Sequence, residues 1–566
     1  MSLEGLPVSR LRSMLLPVMR PFVIAVRSGA HVLGNTWYAV FMARGYKAKK
    51  YAWVVKLGKA ANRRFDPMTS VEGLRAKAHM QMGEVVDALQ HSSIAAATTP
   101  KSIRRRGDML GLLGRVTETD PRWRPVVNPS YAPPVPTLGA DGRHTVLYVA
   151  KESMPWQNNG YCTRSHETLL AIGEAGYTPV AVTMPGYPPK NTETSSTVEG
   201  IQYRHLMPGN RSVLGMPYHS YLDLSTQLYA VEMQKMRPSL LHVGSGHRGY
   251  ETALIGAALA KWAQVPWIYE VRSFFETTWT ANEQYMENSP YFERRLRSET
   301  RAMHSADLII TLSGPMRDVI IDTHGIDPAK VVMLPNAVDL TRFVEHPRDE
   351  DLRTKLGLNS KFVLGYVSNL DHFREGQEVL LRGVALLRKK GVDAAALLVG
   401  DGRRRRELEA LARKLRLGSN AVFTGNVPFD EVDGYYSQID LFVVPRVNER
   451  AGRLVSPMKP FEAMAMGVPI IVSDLPALVE IADDGRCGVF KHEDPADLAR
   501  LAHELYRNPD VRAQMVARCR EWVAHERTWE ANARTLARAY ELATENFRRR
   551  TGSLPVAAGG AGAVNQ

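Results

Sequence analysis

Cysteine is scarce in this chain of 566 residues: Cys162, Cys487 and Cys519 are the only three, widely spaced. Such spacing gives neither a disulfide framework nor a thiolate metal pattern. It fits a reducing compartment, so cytoplasmic placement is the expectation. Uncharged apolar runs long enough to span a bilayer are missing. So is the single clean apolar core, followed by a small-residue cleavage site, of a secretory signal. Acidic residues nearly vanish from positions 1–65, where twelve Lys or Arg stand against Glu4 alone. The whole chain carries a formal charge of +13, so almost all of the excess is N-terminal. The remainder is near neutral, which argues against a basic nucleic-acid groove across the body.

What is present supports two or three domains with sizeable cores, given this length and 44% hydrophobic residues. In residues 1–65, basic positions such as Arg20, Arg27, Arg44 and Lys47 interleave with Phe22, Trp37, Phe41 and Trp53. Two readings follow. One is basic amphipathic helices lying on an anionic membrane surface. The other is a basic helical pair packed on the rest of the protein or on another subunit. Residues 66–143 read as helical and then Pro-rich, with six prolines between Pro121 and Pro136. That composition predicts a stiff linker. The stretch 529–546 predicts a closing helix, and 547–566 a flexible tail.

From His144 the pattern alternates between strand and helix. HTVLYVA, TPVAVTM, LLHVGS, PWIYEVR and DLIITLS predict strands, with helices between them. After a connection near 336–345 the alternation restarts with FVLGYVS, AALLVG, AVFTG, DLFVVP and PIIVS. Two successive arrays of this kind predict an α/β protein with two doubly wound domains, 144–340 and 341–528. Their ligands belong at the carboxyl ends of the strands.

The most informative string is SPMKPFEAMAMGVPIIVSD, Ser456 to Asp474. Pro460 suits the first position of a helix, and Gly467 the left-handed residue that ends one. Ile470, Ile471 and Val472 then read as a strand buried on both faces. Lys459 stands beside the free N–H groups of the helix start, an arrangement that suits an anion. Glu462, in the same turn, suits a pair of vicinal hydroxyls. Phosphates plus a ribose diol describe a nucleotide. A first-turn carboxylate can equally do no more than complement the helix dipole.

The whole string resembles the donor-binding signature of the family 4-type glycosyltransferases (glycosyl transferases group 1), found in bacterial surface-glycan enzymes. They use the GT-B fold of two facing Rossmann-like domains. The resemblance covers about 144–545. It implies that Glu462 holds the donor ribose and that Lys459 and the helix start face the diphosphate. NNGYCTRSHETLLAIGEAG resembles the family's first glycine loop and helix, which makes Asn159 and Gly160 substrate-binding candidates. WIYEVRSFFETTW resembles a string on the inner face of the cleft, which makes Glu270 and Arg272 catalytic candidates; a structural ion pair is the alternative. His242, Ser245 and His247 lie at another strand end and are candidates for substrate binding. Gly400, Asp401 and Gly402 resemble the family's Gly-Asp-Gly turn, and the resemblance of GNVPFDEVDGYYSQIDLFVVPR to the strand before the donor site implies that Val427 flanks the base and Arg446 faces the donor cleft. Pro335, Asn336 and Asp339 resemble a structural turn of the linker region.

Two departures stand out. Ser368 and Asn369 replace the usual Gly-Arg after the first strand of the second domain, and Glu375 replaces the usual lysine. Leu454 replaces a glutamate eight residues before Glu462. The diphosphate is then left to Arg374, Arg446, Arg453, Lys459 and the helix start. The resemblance implies a retaining, metal-independent, hexosyltransferase-type enzyme with no cofactor, the nucleotide-sugar being a co-substrate. The acceptor expected is a surface glycan or its lipid carrier. With the basic arm, this predicts a protein peripheral on the inner face of the cell membrane, with no nucleic-acid partner. The alternatives are a catalytically silent GT-B assembly protein and another sugar-nucleotide enzyme such as an epimerase.

Overall fold

The computed structural model describes residues 30–552 except 63–68, 100–101, 140, 158, 189–192, 209–212, 214 and 281. The expectations for 1–29 of the arm and for 553–566 of the tail lie outside the described residues. The chain forms two compact units.

The larger unit comprises Pro125–Gly209, Leu224–Phe275 and Glu299–Gln566 and contains two Rossmann-like sheets. The first has strands β1 (Thr145–Ala150), β2 (Thr178–Thr183), β3 (Ser195–Val198), β4 (Ile201–His205), β5 (Leu240–Gly244), β6 (Trp267–Glu270), β7 (Leu308–Thr311) and β8 (Val331–Met333). Their order is β3-β4-β2-β1-β5-β6-β7-β8, parallel except for the β3–β4 hairpin. The second has β9 (Phe362–Val367), β10 (Ala394–Val399), β11 (Ala421–Phe423), β12 (Leu441–Val444), β13 (Ile470–Ser473) and β14 (Gly488–Phe490). Its order, β11-β10-β9-β12-β13-β14, is the doubly wound 3-2-1-4-5-6 arrangement. Strands β1, β5, β9, β10, β12 and β13 are buried along their whole length. Continuous Val, Ile, Leu and Ala runs are what a sheet covered on both faces requires. The expected apolar strings all contain strands. The β3–β4 hairpin, β8 and β14 were not expected: they are short, and β3 is SSTV, too polar to signal burial.

The final helix, Trp529–Thr551, runs five residues beyond the expected end. Trp529, Ala533, Leu536, Ala539, Tyr540 and Ala543 enter the core of the first domain. Arg550 Nε reaches the Asp307 carboxylate at 2.9 Å. Hydrogen bonds tie the two domains together. Ser313 Oγ donates to the Leu454 carbonyl at 2.7 Å, and Asn336 Nδ2 to that of Ser456 at 2.7 Å.

The smaller unit comprises Met1–Arg124, Asn210–Asp223 and Glu276–Ser298. Helices Ala30–Lys47 and Tyr51–Asn62 bury Met42, Tyr51, Val54 and Val55 against Val71, Ala78 and Met82 of the following segment. The expected division at 65/66 therefore does not separate two bodies. Tyr38, Tyr46, Trp53 and Leu57 are partly buried against the same core, which is the packed-pair reading for these side chains. Arg44, Lys47, Lys49, Lys50, Lys56 and Lys59 face outward. Residues 210–223 and 276–298, expected in the first Rossmann domain, belong to this helical unit instead. No described helix is long and apolar enough to cross a membrane.

Candidate active site

The carboxyl ends of both sheets supply the groups that meet in one crevice of the larger unit. After β1 the chain turns into helix Gly160–Glu174, capped by Asn159. Asn159 Oδ1 accepts the N–H groups of Tyr161 and Cys162 at 2.9 and 3.1 Å, while its Nδ2 donates to Glu152 at 3.0 Å. Gly160 faces the second domain: a side-chain carbon added there would stand 4.0 Å from Lys459 Nζ. The structure thus brings together Gly160 and Lys459, which come from separate strings 299 positions apart in the chain.

Lys459 and Glu462 lie on helix Lys459–Ala465, with Pro460 in its first turn and Gly467 at φ +71° after it. The helix has only seven residues. Few aligned peptides contribute to its dipole, so the Lys459 ammonium carries most of the local positive charge. Glu462 is 7% exposed and accepts from the Tyr436 hydroxyl at 2.6 Å. It lines a small crevice with Thr163 and Glu167 of the first domain and Asp339 and Arg342 of the connector. Burial, aided by Asp339 and Glu199 and opposed by Arg342, pushes Glu167 up to about 7.

Glu270 and Arg272 form the ion pair that the sequence left open as the alternative. Glu270 is fully buried. Its Oε1 accepts Arg164 Nε and an Arg164 terminal nitrogen at 2.9 and 2.8 Å. Its Oε2 accepts the corresponding nitrogens of Arg272 at 2.9 and 2.7 Å, and the Tyr148 hydroxyl at 3.1 Å. Burial alone would raise this carboxyl; Arg272 and Arg164 outweigh it and hold it well below the usual carboxylate range. Arg272 also donates to Ser165 Oγ at 2.7 Å. Every strong acceptor site of Glu270 is thus occupied, and the pair is structural glue rather than a group presented to substrate. His242 and Ser245, also fully buried, belong to the same glue. His242 Nδ1 is hydrogen-bonded to the Tyr540 hydroxyl at 2.8 Å, and Ser245 Oγ donates to the Glu270 carbonyl at 3.1 Å. His247 differs: its side chain is 58% exposed, 3.7 Å from Glu152.

Among the expected diphosphate cations, Arg446 is internally engaged. It touches Glu375 at 3.4 Å and donates to the Val455 carbonyl at 2.8 Å. Burial pushes Glu375 up, but Arg446 and Arg374 bring it down to about 2. The glutamate at the family's lysine position therefore cancels one of these arginines. Arg374 is partly exposed, 3.5 Å from Glu375, and Arg453 donates to Asn448 Oδ1 at 3.2 Å. Gly400 and Gly402 are packing devices. A carbon on Gly400 (φ +134°) would lie 2.1 Å from the Ser368 carbonyl oxygen, and one on Gly402 2.4 Å from the Leu370 carbonyl carbon. Asp401 pairs with Arg405 at 3.2 Å. Val427 is half-buried against the core of the second domain.

Sequence reasoning missed Arg164, Tyr148, Glu167 and Arg342. Arg164 and Glu167 stand one turn apart on the helix after Gly160, so they share the face that looks toward the connector. That periodicity was the available signal. Arg164 also donates to Asn336 Oδ1 at 2.9 Å, and Asn336 holds Ser456. This chain of contacts links the Glu270 cluster to the segment leading into Lys459.

Two doubly wound domains, with a lysine of one facing the glycine turn of the other, define a GT-B architecture. Residues 159–337 match the family described as "Glycosyl transferase 4-like domain", and 361–508 that described as "Glycosyl transferases group 1". Together these matches cover more than half of the chain, which belongs to the group 1 glycosyltransferases. A GDP-mannose-dependent alpha-(1-6)-phosphatidylinositol monomannoside mannosyltransferase of Mycolicibacterium smegmatis is 28% identical over 42% of this chain and 63% of its own length. A 2-deoxystreptamine glucosyltransferase of Streptomyces kanamyceticus is 30% identical over 40% of this chain and 58% of its own. The chain thus spans less than two thirds of either relative. Among solved structures, sucrose-phosphate synthase from Thermosynechococcus elongatus superposes with a TM-score of 0.60 at 20% identity, over 73% of this chain and 100% of that one.

Proposed function

We propose that this protein is a retaining, metal-independent glycosyltransferase that moves a hexose from a nucleotide-sugar to a surface glycan or its lipid carrier. The observation that carries the reading is Lys459 Nζ facing Gly160 across the crevice, with Glu462 one turn further along the same helix. Both named relatives are sugar transferases, and one is GDP-mannose-dependent. In this reading Glu462 accepts hydrogen bonds from the ribose hydroxyls, in competition with the Tyr436 hydroxyl. Charge develops on the departing diphosphate, and Lys459 stabilises it within a crevice that excludes most water. Glu270 and Arg272 act at one remove, by fixing the helix that begins at Gly160. The internal engagement of Arg446 favours one rival, a catalytically silent GT-B assembly protein.

A thermal-shift screen of UDP-, GDP-, ADP- and TDP-sugars tests the reading, because a ligand bound only by the native state raises its stability. The matching donor should then be turned over. Lys459→Ala and Glu462→Ala should each lower its affinity or turnover tenfold or more, since hydrogen bonds to charged groups contribute about 1.5–3 kcal/mol. Normal turnover in both folded variants removes the assignment. Nucleotide binding without transfer or hydrolysis moves the silent-assembly reading ahead.

A further inference from the structure

We propose that Lys151 binds a phosphate group in the crevice from the side of the first domain, opposite Lys459. The reading of the crevice as a nucleotide-sugar site supplies one of two sources for that phosphate, and to that extent the inference rests on it.

Lys151 follows Ala150, the last residue of β1. It therefore sits where the strand order reverses between β1 and β5, the place at which doubly wound sheets bind ligands. Its backbone N–H donates to the Tyr161 hydroxyl at 3.1 Å, and its ammonium lies 4.4 Å from the centroid of that ring. The centroid of the Phe275 ring lies 5.7 Å from the same ammonium. Among the described residues, no carboxylate forms an ion pair with this ammonium and no acceptor hydrogen-bonds it. The nearby acids are engaged elsewhere. Glu152 is held by Asn159 at 3.0 Å, and Glu251 accepts the Arg248 N–H at 2.8 Å.

A partly buried cation with no carboxylate in direct contact keeps part of its desolvation cost. The Tyr161 ring offsets only part of it. Burial accordingly pushes the Lys151 ammonium below its ordinary value, and Glu152 and Glu251 restore it only in part. An anion is the partner this arrangement lacks. Lys459, a second cation, reaches within 4.0 Å of where a Gly160 side chain would begin. Lys151 covers Tyr161, the next residue. The two lysines, from two domains, thus lie beside consecutive residues, Gly160 and Tyr161. The first N–H groups of that helix are already spent on Asn159 Oδ1. The ammonium groups, and not the helix start, supply the charge. Two sources fit the same phosphate chemistry: the diphosphate of a nucleotide-sugar, or a phosphate on the acceptor.

Titration calorimetry of the full chain and of its Lys151→Gln and Lys151→Arg variants, with inorganic phosphate and with UDP, GDP, ADP and TDP, tests the proposal. Lys151→Gln should weaken at least one of these ligands tenfold or more, with Lys151→Arg recovering most of the loss. Loss confined to a nucleoside diphosphate assigns Lys151 to the donor; loss confined to inorganic phosphate assigns it to the acceptor. Wild-type protein that binds phosphate through Lys151 but no nucleotide keeps this inference and removes the donor-site reading. Unchanged affinities in Lys151→Gln, or no binding of any of the five by wild type, overturn it. Should Lys151→Gln not fold, reductive methylation of the wild-type chain replaces it. Phosphate or the bound nucleotide must slow labelling of Lys151, and unprotected labelling refutes the proposal.

Discussion

At the scale of single residues, two carboxylates of the first domain are shifted in opposite directions. Glu270 is kept ionised by two guanidiniums, so removing it strands both. Breaking a buried pair from one side typically costs about 3–5 kcal/mol, and Glu270→Ala should melt well below wild type, with transfer lost only because folding is lost. A Glu270→Ala protein that melts normally yet transfers nothing would return this residue to the chemistry. Glu167 is the reverse case. With its folded value at about 7 against an ordinary 4.5, the stability it contributes is fully present below pH 4.5 and is lost as pH rises through 7. The difference corresponds to at most about 3 kcal/mol, solvent contact lowering it. Glu167→Gln should match wild type at pH 4 and exceed it at pH 8 in urea midpoints. Parallel pH profiles for the two proteins would show that Glu167 is not held neutral. Little of this was legible in the chain. Sequence gives the chemistry of a strand-end Glu-x-Arg but not whether its acceptors are already filled, and Arg164, which fills half of them, lies 106 positions upstream.

At the scale of elements, the long apolar strands announced themselves because burial on both faces demands unbroken runs. The Pro460 start and Gly467 stop of the donor helix were equally plain. Start and stop together already made it a short helix, and hence one with a weak dipole. The glycine turns were legible as turns, but their purpose was not. Gly400 and Gly402 let the loop after β9 approach the end of β10. Gly400→Ala must either move the Ser368 carbonyl or distort the turn. Backbone strain of this kind costs about 1–3 kcal/mol, and the clash adds to it. The variant should melt earlier and also bind nucleotide more weakly, because the displaced loop is the one carrying Ser368 and Asn369. Calorimetry and binding measured together check this. Unchanged values for both would show that the 2.1 Å approach relaxes without cost.

At the scale of the whole molecule, the basic arm is the feature whose interpretation changes most. Its Trp, Tyr and Val residues suggested a face for lipid, yet Tyr51, Val54 and Val55, with Trp53 and Tyr46 partly buried beside them, cover Val71, Ala78 and Met82. Deleting residues 1–65 would therefore uncover a core and test folding rather than attachment. The cations remain outside: Arg44, Lys47, Lys49 and Lys50 form an exposed corner where the two helices meet. If the protein attaches to a membrane through this corner, the attachment is electrostatic. Each Lys or Arg near an anionic surface contributes about 1 kcal/mol, and the effect fades beyond a Debye length of about 10 Å at 0.1 M salt. The full chain should then sediment with anionic vesicles at low salt, leave them at high salt, and ignore zwitterionic ones. The triple variant Lys47→Glu, Lys49→Glu, Lys50→Glu should lose most of that binding without a change in melting temperature, since none of the three side chains is buried. Full-length protein left in the supernatant at low salt, or a triple variant that binds as tightly as wild type, would show that this corner serves another purpose. Binding that persists at high salt would point instead to apolar insertion.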